Sequence, residues 1–274
     1  MILLAIVLVL FGLRWLDFSR ADYDATRSYI AALRRVFRAD TLWRNPAAPW
    51  LSALVPAALV AALDRRLPWY LQLLLAVLVL WYTLGPRELA SDLGAWLAAR
   101  KRGDEGESAQ CARAIWGEGK AEDLGTLFVV SHERLFGVLL WFFALGPAGA
   151  LLYRLGRRLP AVWPVESPHP NVLHAALAWA PARLTAMLFA MAGSADDVLG
   201  EWRRSHAAAS WIDRTWACLS QIAAASINVE ESDGGSVAPA NLDDAASEFL
   251  QLEFRSLLIL LALFAIFTAG NLFS

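Results

Sequence analysis

Residues 67–84 read LPWYLQLLLAVLVLWYTL, eighteen positions without a charge and with Trp and Tyr near both ends. A helix needs about 20 mostly apolar residues to cross a bilayer, and about 17 at the short end. Few other features limit the choice of fold so strongly. Five more stretches qualify: 1–18, 50–63, 135–153, 173–192 and 257–273. The stretch 50–63 is short, so it borrows flanking residues such as Trp50 or folds as one arm of a hairpin. Composition agrees, with 58% hydrophobic and 18% charged residues against about 45–50% and 25% in soluble domains. Thirteen tryptophans suit a chain with two membrane interfaces to anchor. The opening MILLAIVLVLFGLRWL has neither a basic leader nor a small-x-small cleavage site, and it reads as an uncleaved first span. The fold class expected is all-α, a multi-pass transmembrane helical protein with cytoplasmic helical segments.

Three long polar segments separate the spans: 19–49, 85–134 and 194–256. They hold 17 Lys and Arg, whereas the turns 64–66 and 154–172 hold 5. The positive-inside rule therefore puts the long segments in the cytoplasm, and a bacterial inner membrane is the expected location. In the first segment Tyr29, Ile30, Leu33, Val36 and Phe37 recur at helical spacing. Asp22 and Asp24 come early and Arg34, Arg35 and Arg38 late, the order that the helix dipole favours. In the second, Leu89, Leu93, Trp96 and Leu97 form one face and Gly103 is placed to end the helix. The third closes with VEESDGGSVAPANLDDAAS, an acidic loop without core-forming residues. A net charge of −2 gives no general pull toward nucleic acid. Cys111 and Cys218 are expected to be reduced thiols.

Two constellations carry chemistry. In LAWAPARLTAMLFAMAG, 177–193, Pro181 and Arg183 interrupt an apolar run. A cation at bilayer depth costs about 2.5–3.5 kcal/mol on insertion scales, so it faces a partner or a wet cavity. Pro181 removes a backbone hydrogen bond, which suggests a broken or tilted helix. The plainer reading is an interfacial helix with Arg183 reaching the headgroups. The other constellation, 132–158, opens with His132, Glu133 and Arg134 and closes with Tyr153 and Arg154. Gly146-Pro147 should kink it. Ala144, Gly146, Gly149 and Ala150 let a helix approach closely, within one chain or between two. Here the plainer reading is an ordinary span with a packing notch. His174 lies one side of Pro181 and reaches the same region, although a lone His is more often structural. Asp196-Asp197 and Asp243-Asp244 read as helix starts more readily than as a Mg²⁺ site. GEGKAEDLG, 117–125, lacks the spacing of a phosphate-binding loop. No His/Cys cluster is spaced to hold a metal.

The run LWYTLGPRELASDLGAWLAARKRGD, then ERLFGVLLWFFALGPAGALLYRL, then VLHAALAWAPARLTAMLFAMAG resembles the AmpE family of bacterial inner-membrane proteins linked to β-lactamase induction. That family is related to CobD/CbiB, which builds an aminopropanol amide of cobalamin precursors with a nucleotide triphosphate. The resemblance covers about 70–220. The cobalamin enzymes carry Glu-Asn-x-x-Asp, Tyr-Lys/Arg followed by Asn-Thr-x-Asp, and Asp-Asp-x-x-Asn before Pro-Ala-Arg. Glu133, Tyr153, Arg154, Pro181, Ala182 and Arg183 match those motifs. Arg134 and Gly137 replace the first Asn and Asp, residues around GRRLP replace the second motif, and His174, Ala175 and Ala178 replace the third set.

Nucleotide chemistry leans on carboxylates that hold Mg²⁺. Their replacement implies a regulatory protein of the AmpE kind, linked to β-lactamase induction and cell-wall stress sensing. Glu133, Arg134, Tyr153, Arg154, His174, Trp179, Pro181 and Arg183 would line a basic intramembrane pocket for an anionic small molecule or muropeptide. Arg183 would be held there by Glu133 or by the anion. No cofactor and no metal is assigned; the expected partners are the lipid bilayer and a protein partner or second copy. The alternatives are a nucleotide-dependent cobalamin-precursor amide ligase, and a non-catalytic carrier or scaffold for a muropeptide or lipid-linked ligand.

Overall fold

A computed structural model describes residues 2–15, 25–85, 89–119, 121–204, 210–227, 229–230, 236–237 and 241–273. Asp22, Asp24, Lys120 and most of the acidic loop lie outside them. The helices are α1 Ile2–Trp15, α2 Ala25–Val36, α3 Asp40–Trp43, α4 Ala47–Asp64, α5 Trp69–Leu84, α6 Leu89–Arg102, α7 Glu105–Trp116 and α8 Leu124–Ser131. A π-helical turn, His132–Phe136, joins α8 to α9, Gly137–Val162. Then follow α10 His169–Ala192, α11 Ala195–Arg204, α12 Trp211–Ala217 and α13 Leu242–Phe273. A two-residue antiparallel bridge pairs Val229 with Val237 and Glu230 with Ser236. The protein is all-α apart from that bridge, and it contacts the bilayer through its long apolar helices.

Among the described residues, five helices are long and apolar enough to cross a membrane: Ala47–Asp64, Trp69–Arg102, Leu124–Val162, His169–Ala192 and Leu242–Gly270. The second runs across residues 86–88, which lie outside the described set. The short stretch 50–63 does gain flanking residues, becoming the 18-residue α4. The first expected span, 1–18, is described only as the 14-residue α1, and residues 16–18 lie outside the described set.

The chain forms two compact units, Met1–Pro86 with Gly137–Pro181, and Arg87–Phe136 with Ala182–Ser274. In the first, the turn 65–68 joins α4 to α5, and Gln72 Nε2 donates to Asp64 O across it at 2.9 Å. The expected apolar face of α2 holds only in part. Ile30 is buried and Tyr29 half-buried, but Val36 and Phe37 are 73% and 50% exposed.

The kink expected in 135–153 is a reversal. Gly146 has φ 64° and ψ −151°, outside helical geometry. In a straight helix Gly137 and Tyr153 would be about 24 Å apart at 1.5 Å per residue. Instead a Cβ on Gly137 would lie 2.5 Å from Tyr153 Cζ, and one on Gly149 would lie 2.2 Å from Trp141 O. Residues 137–145 and 147–162 are therefore two arms packed against each other, and 135–153 is not one continuous span. Gly146 can adopt the left-handed φ at no Cβ penalty, and Pro147 has no N–H to continue the ladder. Gly149, in the second arm, lets that arm approach the first within the chain.

Residues 19–49 and 154–172 are expected on opposite faces. Yet Trp163 Nε1 donates to Trp43 O at 3.1 Å, and the two rings meet edge-on at 5.1 Å. The arm 147–162 brings the chain back toward the start of α4.

The second unit is built around aromatic side chains. Phe128 meets Phe189 at 4.8 Å and Phe249 at 5.0 Å, and Phe136 meets Phe189 at 5.3 Å. Leu89, Leu93, Trp96 and Leu97 are buried as the spacing predicts. Gly103, at φ 72°, ends α6 while Asp104 N bonds Ala99 O at 3.0 Å. A Cβ on Gly125 would lie 2.3 Å from Ser220 O, so α8 packs directly on a second π-helical turn, Cys218–Ile222.

Candidate functional site

The hairpin decides what its side chains meet. Tyr153 is fully buried against Gly137, and its ring centroid lies 6.4 Å from that of His174, edge to face. His174 is 9% exposed. Arg154 is the next residue on, about 100° further round the helix, and it faces α5. Its Nη1 donates to Thr83 O at 3.0 Å, and its guanidinium lies over the Tyr82 ring at 4.4 Å.

These partners suit a cation without supplying charge. Thr83 lies in the last turn of α5, where carbonyls lack intrahelical donors and the dipole is negative. The Thr83 hydroxyl bonds Leu80 O at 3.0 Å, leaving its carbonyl for the arginine. Tyr82 adds the attraction of a ring face. Arg154 is 3% exposed, and its Nε is buried without a hydrogen-bond partner. No carboxylate among the described residues pairs with it. It is a desolvated cation with a donor left over.

Pro181 does not break its helix. The 24-residue α10 runs through it. A proline deprives the carbonyl four residues earlier of its donor. That carbonyl, Leu177 O, accepts from Trp141 Nε1 at 2.9 Å. The same device recurs at Pro56, where Ser52 O accepts from Tyr29 Oη at 3.1 Å. Each freed carbonyl takes an aromatic donor from another helix, which is how a helix in lipid tolerates proline. Trp179 is 48% exposed.

The remaining candidates belong to the second unit. Glu133 and Arg134 sit in the π-helical turn, a distortion frequent at functional sites. Arg134 reaches Asp92 at 3.3 Å and donates to Ala114 O at 2.8 Å, so protein groups already hold it. Arg183 is half-buried, and its cation partly offsets the effect of burial on the Cys218 thiol. The structure thus brings Tyr153 and His174 together in one unit, and engages Arg134 separately in the other.

Sequence reasoning singled out His132 but missed Ser131, Thr185 and Glu253, which are buried with it in the second unit. Ser131 Oγ donates to Glu253 Oε1 at 2.5 Å, and His132 Nδ1 meets Thr185 Oγ1 at 2.9 Å. All four are nearly or fully buried. The available signal was Glu253, an acid between Leu252 and Phe254 in a long helix. The aspartate pairs read as helix starts are that: Ser194 Oγ and Asp197 Oδ2 lie 2.6 Å apart, and Asp244 N bonds Asn241 Oδ1 at 2.8 Å.

No protein-family profile matches the sequence. No solved structure matches it either. A cobalamin biosynthesis protein, CobD, of Chromobacterium violaceum is 29% identical over 196 residues, covering 60% of this chain and 59% of the relative. The chain thus spans about three fifths of that relative's length. The similarity lies on the CobD side of the resemblance and does not reach AmpE in particular.

A CobD-type reaction would call for Mg²⁺ and a nucleotide. The residues present do not fit that group. At Gly137, where the cobalamin pattern has Asp, the Tyr153 ring fills the space a side chain would need. Ala175 and Ala178, at the further Asp and Asn positions, are fully buried methyl groups. The donor set left around Tyr153 is aromatic and cationic.

Proposed function

We propose that this is a regulatory membrane protein of the AmpE kind, which binds an anionic ligand on a CobD-type helical scaffold without turning over a nucleotide. The observation that carries the reading is Arg154, a desolvated cation with a spare Nε donor and no carboxylate partner among the described residues. An anion would complete it, since a buried charge demands pairing. The unit around it supports the same choice. Residues 1–86 and 137–181 contain 12 Lys and Arg against 6 Asp and Glu. Tyr153 and His174 are the nearby groups proposed to set the ligand's orientation. Glu133, Arg134 and Arg183 belong to the second unit and are not assigned to this site. Cell-wall fragments, which carry carboxylates, are the ligand class that the AmpE resemblance implies.

The CobD relative favours a second reading, a nucleotide-dependent amide ligase of cobalamin precursors. A thermal-shift comparison of purified protein separates the two. An anhydro-muropeptide should raise the midpoint of the wild type, and Arg154→Gln should abolish the shift while melting near the wild type in buffer. Ligand at a hundredfold excess over its Kd adds about 2.7 kcal/mol. A shift only with Mg-ATP and a corrinoid acid would overturn the regulatory reading and favour the ligase.

A further inference from the structure

We infer that α2, α3 and the corner between them form a membrane-surface anchor that docks on anionic phospholipid headgroups. This surface belongs to the first unit, and its role does not depend on what Arg154 binds.

The corner sits at the right depth. α4 has 18 residues, about 27 Å of helix, close to the ~30 Å hydrocarbon thickness of a bilayer. A helix of that length that crosses has its ends at the two interfaces. Charge marks both ends: Arg44 precedes α4, and Arg65 and Arg66 follow it. α2 is tied to the Arg44 end. Tyr29 Oη donates to Ser52 O at 3.1 Å, and Ser52 is five residues, about 8 Å, into α4. Trp43 Nε1 donates to Phe37 O at 2.7 Å, which folds the end of α2 back onto the residues just before α4. Helices that lie on a membrane sit at that level, about 5–10 Å into the headgroup and acyl boundary.

The exposed side chains suit lipid. Thr26 and Ile30 are buried, so that edge of α2 is used for packing. Val36, Phe37 and Leu42 are not: they are 73%, 50% and 51% exposed, and Arg35, Arg38 and Arg44 are exposed among them. Exposed apolar side chains grouped in this way mark an interaction surface. The apolar surface resumes at Trp50, Leu51, Leu54 and Val55, exposed on the first turns of α4, a helix long and apolar enough to cross a membrane. That continuity points to the bilayer rather than to a protein.

Charge selects the headgroup. Asp40 is paired with Arg34, whose guanidinium also lies over the Trp43 ring at 5.9 Å. Among the described residues no carboxylate pairs with Arg35, Arg38 or Arg44. Guanidinium groups match phosphate oxygens in geometry and charge. On an anionic surface each favours the docked state about fivefold. A zwitterionic headgroup offers the phosphate without the net charge.

The test uses the full chain in nanodiscs of phosphatidylcholine alone and of an equimolar mixture with phosphatidylglycerol. A fluorophore is attached through Phe37→Cys in a chain carrying Cys111→Ser and Cys218→Ala. A nitroxide high on the acyl chain should quench it several-fold more strongly in the mixed membrane, where aqueous iodide should quench it less. Arg35→Gln, Arg38→Gln and Arg44→Gln together should erase the difference between the two membranes. Arg65→Gln with Arg66→Gln, at the other end of α4, should leave it. Equal nitroxide quenching of the unaltered arginines in both membranes would overturn the preference for anionic headgroups. Quenching by iodide alone in both would overturn the anchor itself. If the cysteine-depleted chain does not fold, mass spectrometry of otherwise wild-type protein extracted from the mixed nanodiscs answers by the phosphatidylglycerol retained. The triple glutamine variant should retain less than the wild type, and equal retention would overturn the proposal.

Discussion

The two units handle buried polarity in opposite ways. In the first, donors go to backbone carbonyls: Tyr29 to Ser52, Trp141 to Leu177, Trp163 to Trp43 and Arg154 to Thr83. In the second, buried side chains meet side chains, Ser131 with Glu253 and His132 with Thr185, while its cations meet acids nearer the surface: Arg134 with Asp92, Arg100 with Asp243 and Arg102 with Glu107. The charge inventory explains the difference. Residues 1–86 and 137–181 carry 12 Lys and Arg and 6 acids, while residues 87–136 and 182–274 carry 12 and 20. The first unit has few acids to spare and several prolines to accommodate, so its helices are bound by donors to freed carbonyls. The second has acids enough to hold its cations itself. Among the described residues, Arg154 of the first unit is a buried cation with no carboxylate paired to it.

The sharpest way to break this contrast is to stop the hairpin closing. Gly149→Val should prevent the arms from meeting, because its Cβ would lie 2.2 Å from Trp141 O and a backbone atom cannot step aside. Overpacking of this kind costs about 3 kcal/mol or more. The expected outcome is loss of monodisperse protein in detergent gel filtration. Gly94→Ala in the second unit is the counterpart, with open space around its Cβ. It should raise stability by about 0.5–1 kcal/mol, the ordinary helix preference for Ala. A well-behaved Gly149→Val protein would remove the hairpin and with it the placing of Tyr153 beside Gly137.

A smaller and more specific effect is expected at the prolines. Trp141→Phe keeps the ring but leaves Leu177 O without a donor, at a cost of about 1–3 kcal/mol. In a Pro181→Ala background the backbone N–H returns, and the same substitution should cost about 1 kcal/mol less. A double-mutant cycle by chemical unfolding measures the coupling. Additive losses would mean that tryptophan and proline are unrelated. In the second unit, Asp92→Asn should cost only about 0–1 kcal/mol, because the pair is partly exposed and Arg134 keeps Ala114 O. A larger loss there than at Trp141 would invert the contrast.

Much of the helix content was legible, because long apolar runs and a 3.6-residue period leave few alternatives. The face of α6 and its Gly103 stop were readable to the residue. The reversal at Gly146 was not, although its residues were noticed. Gly-Pro with small neighbours is compatible with a kink, a dimer notch or a hairpin, and only the contact of Gly137 with Tyr153 separates them. Pro181 misled in the other direction: a proline predicts a lost hydrogen bond, but its replacement by Trp141 comes from a helix some forty residues away. Arg183 drew attention as the cation inside an apolar run. Arg154, at the edge of one, is the more deeply buried. Ser131 and Glu253 lie 122 residues apart, and nothing local in the sequence couples them.

The smallest expected effect concerns a thiol of the second unit. Burial pushes Cys218 up to about 11, with the Arg183 cation pulling the other way. The folded chain therefore holds the thiol proton more tightly than the unfolded chain, whose thiol titrates near its ordinary value of about 8.5. Stability from this group is complete below that value and is lost as pH rises toward 11. Tm should fall across this window, and the fall should be shallower in Cys218→Ala. At pH 8 Cys218 should alkylate more slowly than the half-buried Cys111. Arg183→Met removes the opposing cation, so it should slow Cys218 alkylation further at pH 9 without changing Cys111. Equal rates in wild type and Arg183→Met would mean that the arginine's charge does not reach the thiol.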